Sequence, residues 1–320
     1  MLRPHTYTQP KPLIPVAGKP ILGHIVEAMH RAGIEEFVFV IGYLGEKIRD
    51  YVTREFAGRF RVHFVVQEPR LGLAHAIGLC AEHIVGGEPV AITLGDTIID
   101  ADYRELLAEK GSIVCTMEVD TPEKFGIAEI DEQGYIRSLV EKPSIPRSNL
   151  ALVGFYKIEE TQLLFTAIRE LMADPAQSSR EYYLTDALMR MVTHGAKIRA
   201  VKVRNWYDCG VKQALLDTNR ILLSQMKPTV PADRFTNSVI IPPVFIPDSC
   251  DIRHAIIGPY VALGENTQIT SAIVQNSIIG SYARIEHVML HDAVVGNDST
   301  LRGRWQSMNI GDNTEIDFNQ

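Results

Sequence analysis

Val90-Ala91-Ile92-Thr93-Leu94-Gly95-Asp96 decides how this chain of 320 residues is read. Its aliphatic run lacks polar alternation, which marks a strand buried on both faces, as in parallel sheets covered by helices. Toward the N-terminus the same texture recurs in Val62-His63-Phe64-Val65-Val66-Gln67 and in Phe37-Val38-Phe39-Val40-Ile41-Gly42. Amphipathic segments lie between these strands. After Pro20, apolar Ile21, Leu22, Ile25, Val26 and Met29 fall at helical spacing, and Gly33 supplies a stop. Glu46 to Phe56 and Gly72 to Val85 read as two more helices. The alternation predicts an α/β fold, a doubly wound and mostly parallel sheet with short crossovers.

Beyond Asp100 the pattern loosens into α+β. Strands are expected at residues 112–119, 127–130, 136–140 and 150–157, and helices at 161–172 and 184–194. Trp206-Tyr207-Asp208-Cys209-Gly210 precedes a helix reaching about Gln225. Residues 1–227 thus form one expected domain, and Lys227-Pro228-Thr229-Val230-Pro231 opens a linker over 228–234. From Phe235 on, an aliphatic-Gly unit recurs at Ile257-Gly258, Leu263-Gly264, Ile279-Gly280, Val295-Gly296 and Ile310-Gly311. A second aliphatic follows at Ile269, Ile285, Leu301 and Ile316. A six-residue period without long helices is the signature of a hexapeptide β-helix, here of four to five coils over residues 235–320. A run of hairpins in a small sandwich would not keep the units in register. Exposed coil faces stack, so a homo-oligomer is expected.

Composition narrows the partners. A net charge of −7 argues against a nucleic-acid coat, so an anionic ligand must be held by local lysines and backbone amides. Cys80, Cys115, Cys209 and Cys250 show neither a Cys-x-x-Cys pair nor metal spacing, the usage of reduced thiols in the cytoplasm. No apolar run is long enough to span a bilayer. The opening segment carries Pro4, Pro10, Pro12, Pro15 and Pro20, which exclude a regular helix or central strand there. It reads as a rigid loop that directs Lys11 and Lys19 toward an anion.

Several residues have the chemistry of a site. Asp96 ends a buried strand, where ligands bind in open α/β sheets, although an Asp at that point serves equally as a helix cap. Asp208 sits at a turn. Both offer the hard carboxylate oxygens that Mg²⁺ takes alongside phosphate and water. Gln67, at another strand end, carries an amide donor and acceptor able to read a base edge, and Gly72 permits close backbone approach. Glu141-Lys142-Pro143 follows a strand, and its pre-proline Lys142 is expected in an extended conformation, aimed at a phosphate.

Together, the proline-lysine loop, Gln67-Glu68-Pro69-Arg70-Leu71-Gly72-Leu73-Ala74-His75, Leu94-Gly95-Asp96, Phe125-Gly126-Ile127, Glu141-Lys142-Pro143, Leu184-Thr185-Asp186, Trp206-Tyr207-Asp208-Cys209-Gly210 and the hexapeptides run in the order of one family. The chain resembles the sugar-1-phosphate nucleotidylyltransferases, most closely long-form glucose-1-phosphate thymidylyltransferases with a C-terminal left-handed β-helix. The resemblance implies a nucleotide-diphospho-sugar transferase-like fold and an in-line attack by a sugar-1-phosphate on the α-phosphorus of a nucleoside triphosphate. The implied substrates are dTTP and glucose-1-phosphate, with UTP or GTP and mannose-1-phosphate as alternatives. It implies that Lys11 stabilises the phosphates and that Gln67 and Gly72 recognise the base. Asp96 and Asp208 would hold Mg²⁺, with Asp96 also at the nucleotide. Gly126, Glu141 and Tyr156 would contact the sugar, and Lys142 its phosphate.

One departure stands at the front. Leu2-Arg3-Pro4-His5-Thr6 matches the end of the family's phosphate loop, and Met1 stands where an arginine is expected. The first strand and the Gly-x-Gly-Thr-Arg loop are therefore expected to be missing from these residues, with sheet edges left exposed. Arg3 falls at a variable position and does not replace the arginine. That loss leaves a second expectation, a catalytically impaired sugar-nucleotide-binding or assembly subunit.

Overall fold

Nine consecutive buried residues, Leu150–Ile158, form the axis of the larger sheet. Most of their side chains are apolar and pack on both faces, and no strand among the described residues is longer. In the computed structural model, which describes residues 2–84, 87–177, 181–227, 234–235 and 237–303, this sheet lies in one of two compact units. That unit comprises Met1–Ile14 and Lys19–Leu215; the other comprises Pro15–Gly18 and the chain from Leu216 onward.

The sheet order is Ile198–Lys202, Ser112–Glu118, Leu150–Ile158, Gly126–Ile130 and Ile136–Glu141, with Val90–Thr93 also paired to Leu150–Ile158. Helices Thr161–Ala173 and Leu184–Thr193 supply Leu164, Ile168, Leu171, Leu188 and Met191 to its core, all almost wholly buried. A separate ribbon joins Glu36–Ile41 to Arg61–Val66 in parallel. Helix residues Leu22, Val26, Tyr51, Val52 and Phe56 form a smaller core against Phe37, Phe39, Phe60 and Phe64.

The α/β class is as expected, but strand direction is more mixed. Among the described residues of the larger sheet only Ile198–Lys202 with Ser112–Glu118 runs parallel, and the strands on Leu150–Ile158 are antiparallel to it. A continuous aliphatic run reports burial of both faces and carries no information on direction. Glu36–Ile41 and Val90–Thr93 are mostly half-buried rather than buried, and among the described residues the ribbon bonds to no strand of the larger sheet. The helix expected over 72–85 ends at Gly78, followed by a separate turn at Ala81–His83.

Ladder register breaks between Leu152 and Tyr156. Gly154 sits there at φ +84°, and a Cβ on it would lie 2.7 Å from the Leu94 side chain. Leu94 donates its N–H to the Gly154 carbonyl at 3.0 Å. The bulge therefore fastens the segment leading to Asp96 beside the middle of the central strand.

The other unit contains a three-sided parallel β-helix of the left-handed hexapeptide kind. Three sheets of four strands each stack coil on coil, for example Asp251–Arg253, Gln268–Thr270, Arg284–Glu286 and Thr300–Arg302. Ile252, Ile269 and Ile285 face inward along this wall, and Ile257 and Val274 along the next. Corners turn on left-handed residues repeated coil by coil: Tyr260, Asn276 and Asp292 at one, Asn266, Tyr282 and Asp298 at another. The glycines of the repeat have a different task. A Cβ on Gly264 would lie 2.3 Å from the Ser281 backbone nitrogen, so the repeat needs glycine where the next coil passes. Four coils are described; Ile310-Gly311 and Ile316, like residues 228–233 of the expected linker, lie outside the described residues.

Candidate active site

Asp96 and Asp208 meet because two strands pair. Thr97–Asp100 and Asn205–Asp208 run antiparallel with Asp208 opposite Thr97, and Cys209 donates its N–H to the Asp96 carbonyl at 3.3 Å. Lys11, in the short turn Lys11–Leu13, closes the group. Its Nζ donates to Asp96 Oδ2 at 2.5 Å and lies 3.4 Å from Asp208 Oδ1. Burial works against the Lys11 charge, but the two carboxylates more than offset it and hold the ammonium above its ordinary value. Gly210 keeps this corner uncrowded: a Cβ there would lie 3.1 Å from Lys11 Nζ and 3.0 Å from Asp208 Oδ1.

These three residues line a cleft of about 260 Å³ together with Gly126, Glu141 and Tyr156. Gly126 pairs with Glu141 across neighbouring strands, and a Cβ on it would lie 2.9 Å from Glu141 Oε2. Thr185 donates to Glu141 Oε2 at 3.4 Å. Burial raises the Glu141 pKa, opposed by Lys142 and the Thr185 hydrogen bond and assisted by Asp186 and Glu181. Burial also pushes the Tyr156 phenol up, so it stays a neutral donor. At the rim Phe125 and Trp206 stack edge to face, 4.8 Å apart, and the buried Trp206 indole N–H has no hydrogen-bond partner.

Three expected residues stand apart from the cleft lining. Gln67 and Gly72 occupy the adjoining strand end and loop, which Leu73 connects to the cleft. Gly72 is needed against the protein's own backbone, since a Cβ at its φ of +108° would lie 2.5 Å from the Tyr182 carbonyl oxygen. Lys142 is exposed at φ +43°, left-handed rather than extended, and its N–H donates to the Phe125 carbonyl. Proline restricts the preceding residue away from the right-handed helix, and this turn takes the mirror region instead. Lys19 turns to Glu27 at 2.6 Å, so of the two loop lysines only Lys11 serves the cleft. The Arg3 guanidinium lies over the Tyr7 ring. Lys124, also at the cleft, has no sequence signal; Thr185 and Trp206 stand inside motifs whose sequence assigns them no role.

Three carboxylates and two lysines lie along the wall of the cleft. A family model described as nucleotidyl transferase matches residues 1–225. The chain belongs to this family. The transferase is 30% identical to the low-salt glycan biosynthesis nucleotidyltransferase Agl11 of Haloferax volcanii, over 98% of this chain and 96% of that protein. It is 31% identical to a glucose-1-phosphate thymidylyltransferase of Streptomyces griseus, covering 94% and 84% of the two chains. Among solved structures, a UDP-glucose pyrophosphorylase complexed with UDP-glucose superposes with a TM-score of 0.59 at 27% identity, over 70% of this chain and 94% of that one. The transferase is an enzyme of the sugar-1-phosphate nucleotidylyltransferase class. Among its described residues no helix is long and apolar enough to cross a membrane.

Proposed function

We propose that the enzyme joins a nucleoside triphosphate, dTTP in the first instance, to glucose-1-phosphate, forming dTDP-glucose and pyrophosphate. The observation that carries this reading is the Lys11 ammonium seated between Asp96 and Asp208 in the wall of the cleft. The choice of dTTP and glucose-1-phosphate is supported by the name of the Streptomyces relative, and UTP by the uridine ligand of the structural neighbour.

In this mechanism a phosphate oxygen of the sugar-1-phosphate attacks the α-phosphorus, a new P–O bond forms, and pyrophosphate leaves with the electron pair of the bond that breaks. The protein forms no covalent bond. Its work is placement and charge neutralisation. Lys11 would meet the charge that builds on the phosphates. Glu141, kept in place by Thr185 and Gly126, would accept hydrogen bonds from sugar hydroxyls, and Tyr156 would donate one. Lys142 would reach the sugar phosphate by rotation of its exposed chain. Gln67 and Gly72 would face the base.

The donor set suits Mg²⁺. Asp96 and Asp208 already share one cation, and two hard carboxylates with phosphate and water oxygens make the coordination this ion takes. When bound, Mg²⁺ supplies charge neutralisation and alignment of the phosphates. The reading includes a cytoplasmic homo-oligomer. Four buried thiols support the reducing compartment, and Met289 and Tyr282, exposed on the coils, support the contact faces.

Pyrophosphate release from dTTP, UTP and GTP against glucose-1-phosphate and mannose-1-phosphate tests the reading. The largest kcat/KM is expected for dTTP with glucose-1-phosphate. Lys11→Met and Asp96→Asn are each expected to lower kcat by about 10²–10³, the effect of removing one preorganised charge partner. Nucleotide-sugar binding with no turnover by the purified chain would instead identify a binding or assembly subunit.

A further inference from the structure

Gln67 does not offer its amide in the way a free glutamine does. Its backbone N–H continues the parallel ladder by donating to Ile41, which fixes the residue at the strand end. Its side-chain Nε2 lies 2.8 Å from the Gly72 carbonyl oxygen and 3.0 Å from His75 Nδ1. The first contact orients the amide. A backbone carbonyl only accepts, so the reverse orientation would place two acceptor oxygens 2.8 Å apart. The Gly72 carbonyl cannot turn away, because it also accepts the Ala76 N–H at 3.1 Å in the first turn of the helix Leu73–Gly78. With nitrogen on that side, the second amide proton faces His75 Nδ1. The imidazole must then accept there and carry its own proton on Nε2. His75 is 8% exposed and helical, so it cannot leave this arrangement without repacking.

We infer that His75 is a positioning residue that, with Gly72, consumes both amide protons of Gln67 and leaves only the Oε1 acceptor for the nucleotide base. This deepens the nucleotide reading and rests on it. Set opposite the ring nitrogen of the pairing edge, that acceptor selects a base with a ring N–H there: the imide of uracil and thymine, or the lactam of guanine. Cytosine and adenine put a ring-nitrogen acceptor at that position, and two acceptors face each other. The amide therefore selects a class of base rather than one base, and dTTP, UTP and GTP pass while CTP and ATP do not. Losing the His75 acceptor leaves the Gly72 carbonyl as the one anchor of the amide, which widens its swing about that contact and relaxes the selection.

Calorimetric titration of the full chain with dTTP, UTP, GTP, CTP and ATP, without sugar phosphate, reads this independently of turnover. The wild type is expected to prefer the three ring N–H bases. His75→Leu is expected to narrow that preference by about tenfold, the scale of one hydrogen bond, and His75→Asn, which keeps an acceptor near the Nδ1 position, to restore it. A packing role alone would weaken all five nucleotides together and leave their ratios unmoved. Unchanged ratios in His75→Leu overturn the assignment to His75 while leaving the nucleotide reading intact. Failure of the wild type to bind any of the five overturns both. Should His75→Leu not fold, the side-chain amide of Gln67 in wild type decides by ¹⁵N NMR. Two slowly exchanging protons support the inference, and one freely exchanging proton overturns it.

Discussion

Glu141 shows how much one side chain's surroundings set its chemistry. Burial raises its pKa, so the folded state disfavours the carboxylate. Below the unfolded value both states are protonated and the residue costs nothing. As pH rises through the folded value the native state must hold a charge it solvates poorly, and stability is lost. Glu141→Gln is therefore expected to raise the thermal midpoint more at pH 7 than at pH 4, while lowering activity with the sugar phosphate. Equal shifts at both pH values would show that the carboxylate is already well solvated. At this scale Lys11, Asp96 and Asp208 were legible because each sits in a short motif whose residue types are the chemistry. Gln67 is legible as a polar strand end, but the partners of its amide, Gly72 and His75, lie five and eight positions further along the chain and are not. The same holds for Lys19: nothing in the loop announces that its ammonium pairs with Glu27, eight positions further along the chain.

Repeating elements make a more direct test of packing. In the β-helix each wall stacks strand on strand, and glycine stands where one coil runs over the next. A Cβ on Gly280 would lie 2.6 Å from the Asn297 nitrogen and 2.6 Å from the Gly296 carbonyl carbon, backbone that cannot rotate aside. Gly280→Ala is expected to destabilise the coils by about 1–3 kcal/mol, the usual cost of overpacking, with a lower urea midpoint and an unchanged slope. The six-residue period was legible because the same backbone constraint recurs at every coil. Strand direction in the larger sheet was not. Val90-Ala91-Ile92-Thr93 has the aliphatic texture of a parallel strand and pairs antiparallel with the central one, because helices that cover both faces demand the same side chains either way. Gly154 was equally silent in the sequence, although its bulge brings Leu94 and so Asp96 into place.

Taken as a whole, the molecule keeps its reactive sulfur out of reach. All four cysteines are buried, and burial pushes the Cys115 thiol to about 12 and those of Cys80 and Cys250 to about 11. Thiolate formation at neutral pH is suppressed, so a disulfide-exchange reagent is expected to label the native chain negligibly and all four thiols once it unfolds. Rapid labelling of one thiol under native conditions would reveal local opening at that site. The solenoid was legible from texture alone. The division of the opening loop between the units was not, since Pro15–Gly18 looks like part of the segment that carries Lys11.

That division has a consequence for how the chain can be cut and recombined. Ala17 gives its N–H to Asn219 Oδ1 at 2.8 Å, and Gly18 has no room for a side chain against Phe245, all within the unit that begins again at Leu216. The polypeptide therefore passes between units after Ile14, after Gly18 and after Leu215. A gene fusion or truncation made after Lys227 would remove Phe245 from Gly18 and would leave Pro15–Gly18 and residues 216–227 without the rest of their unit. The β-helix is not a cassette that one breakpoint can exchange. Its inheritance is tied to the stretch that begins at Pro15, four residues after Lys11.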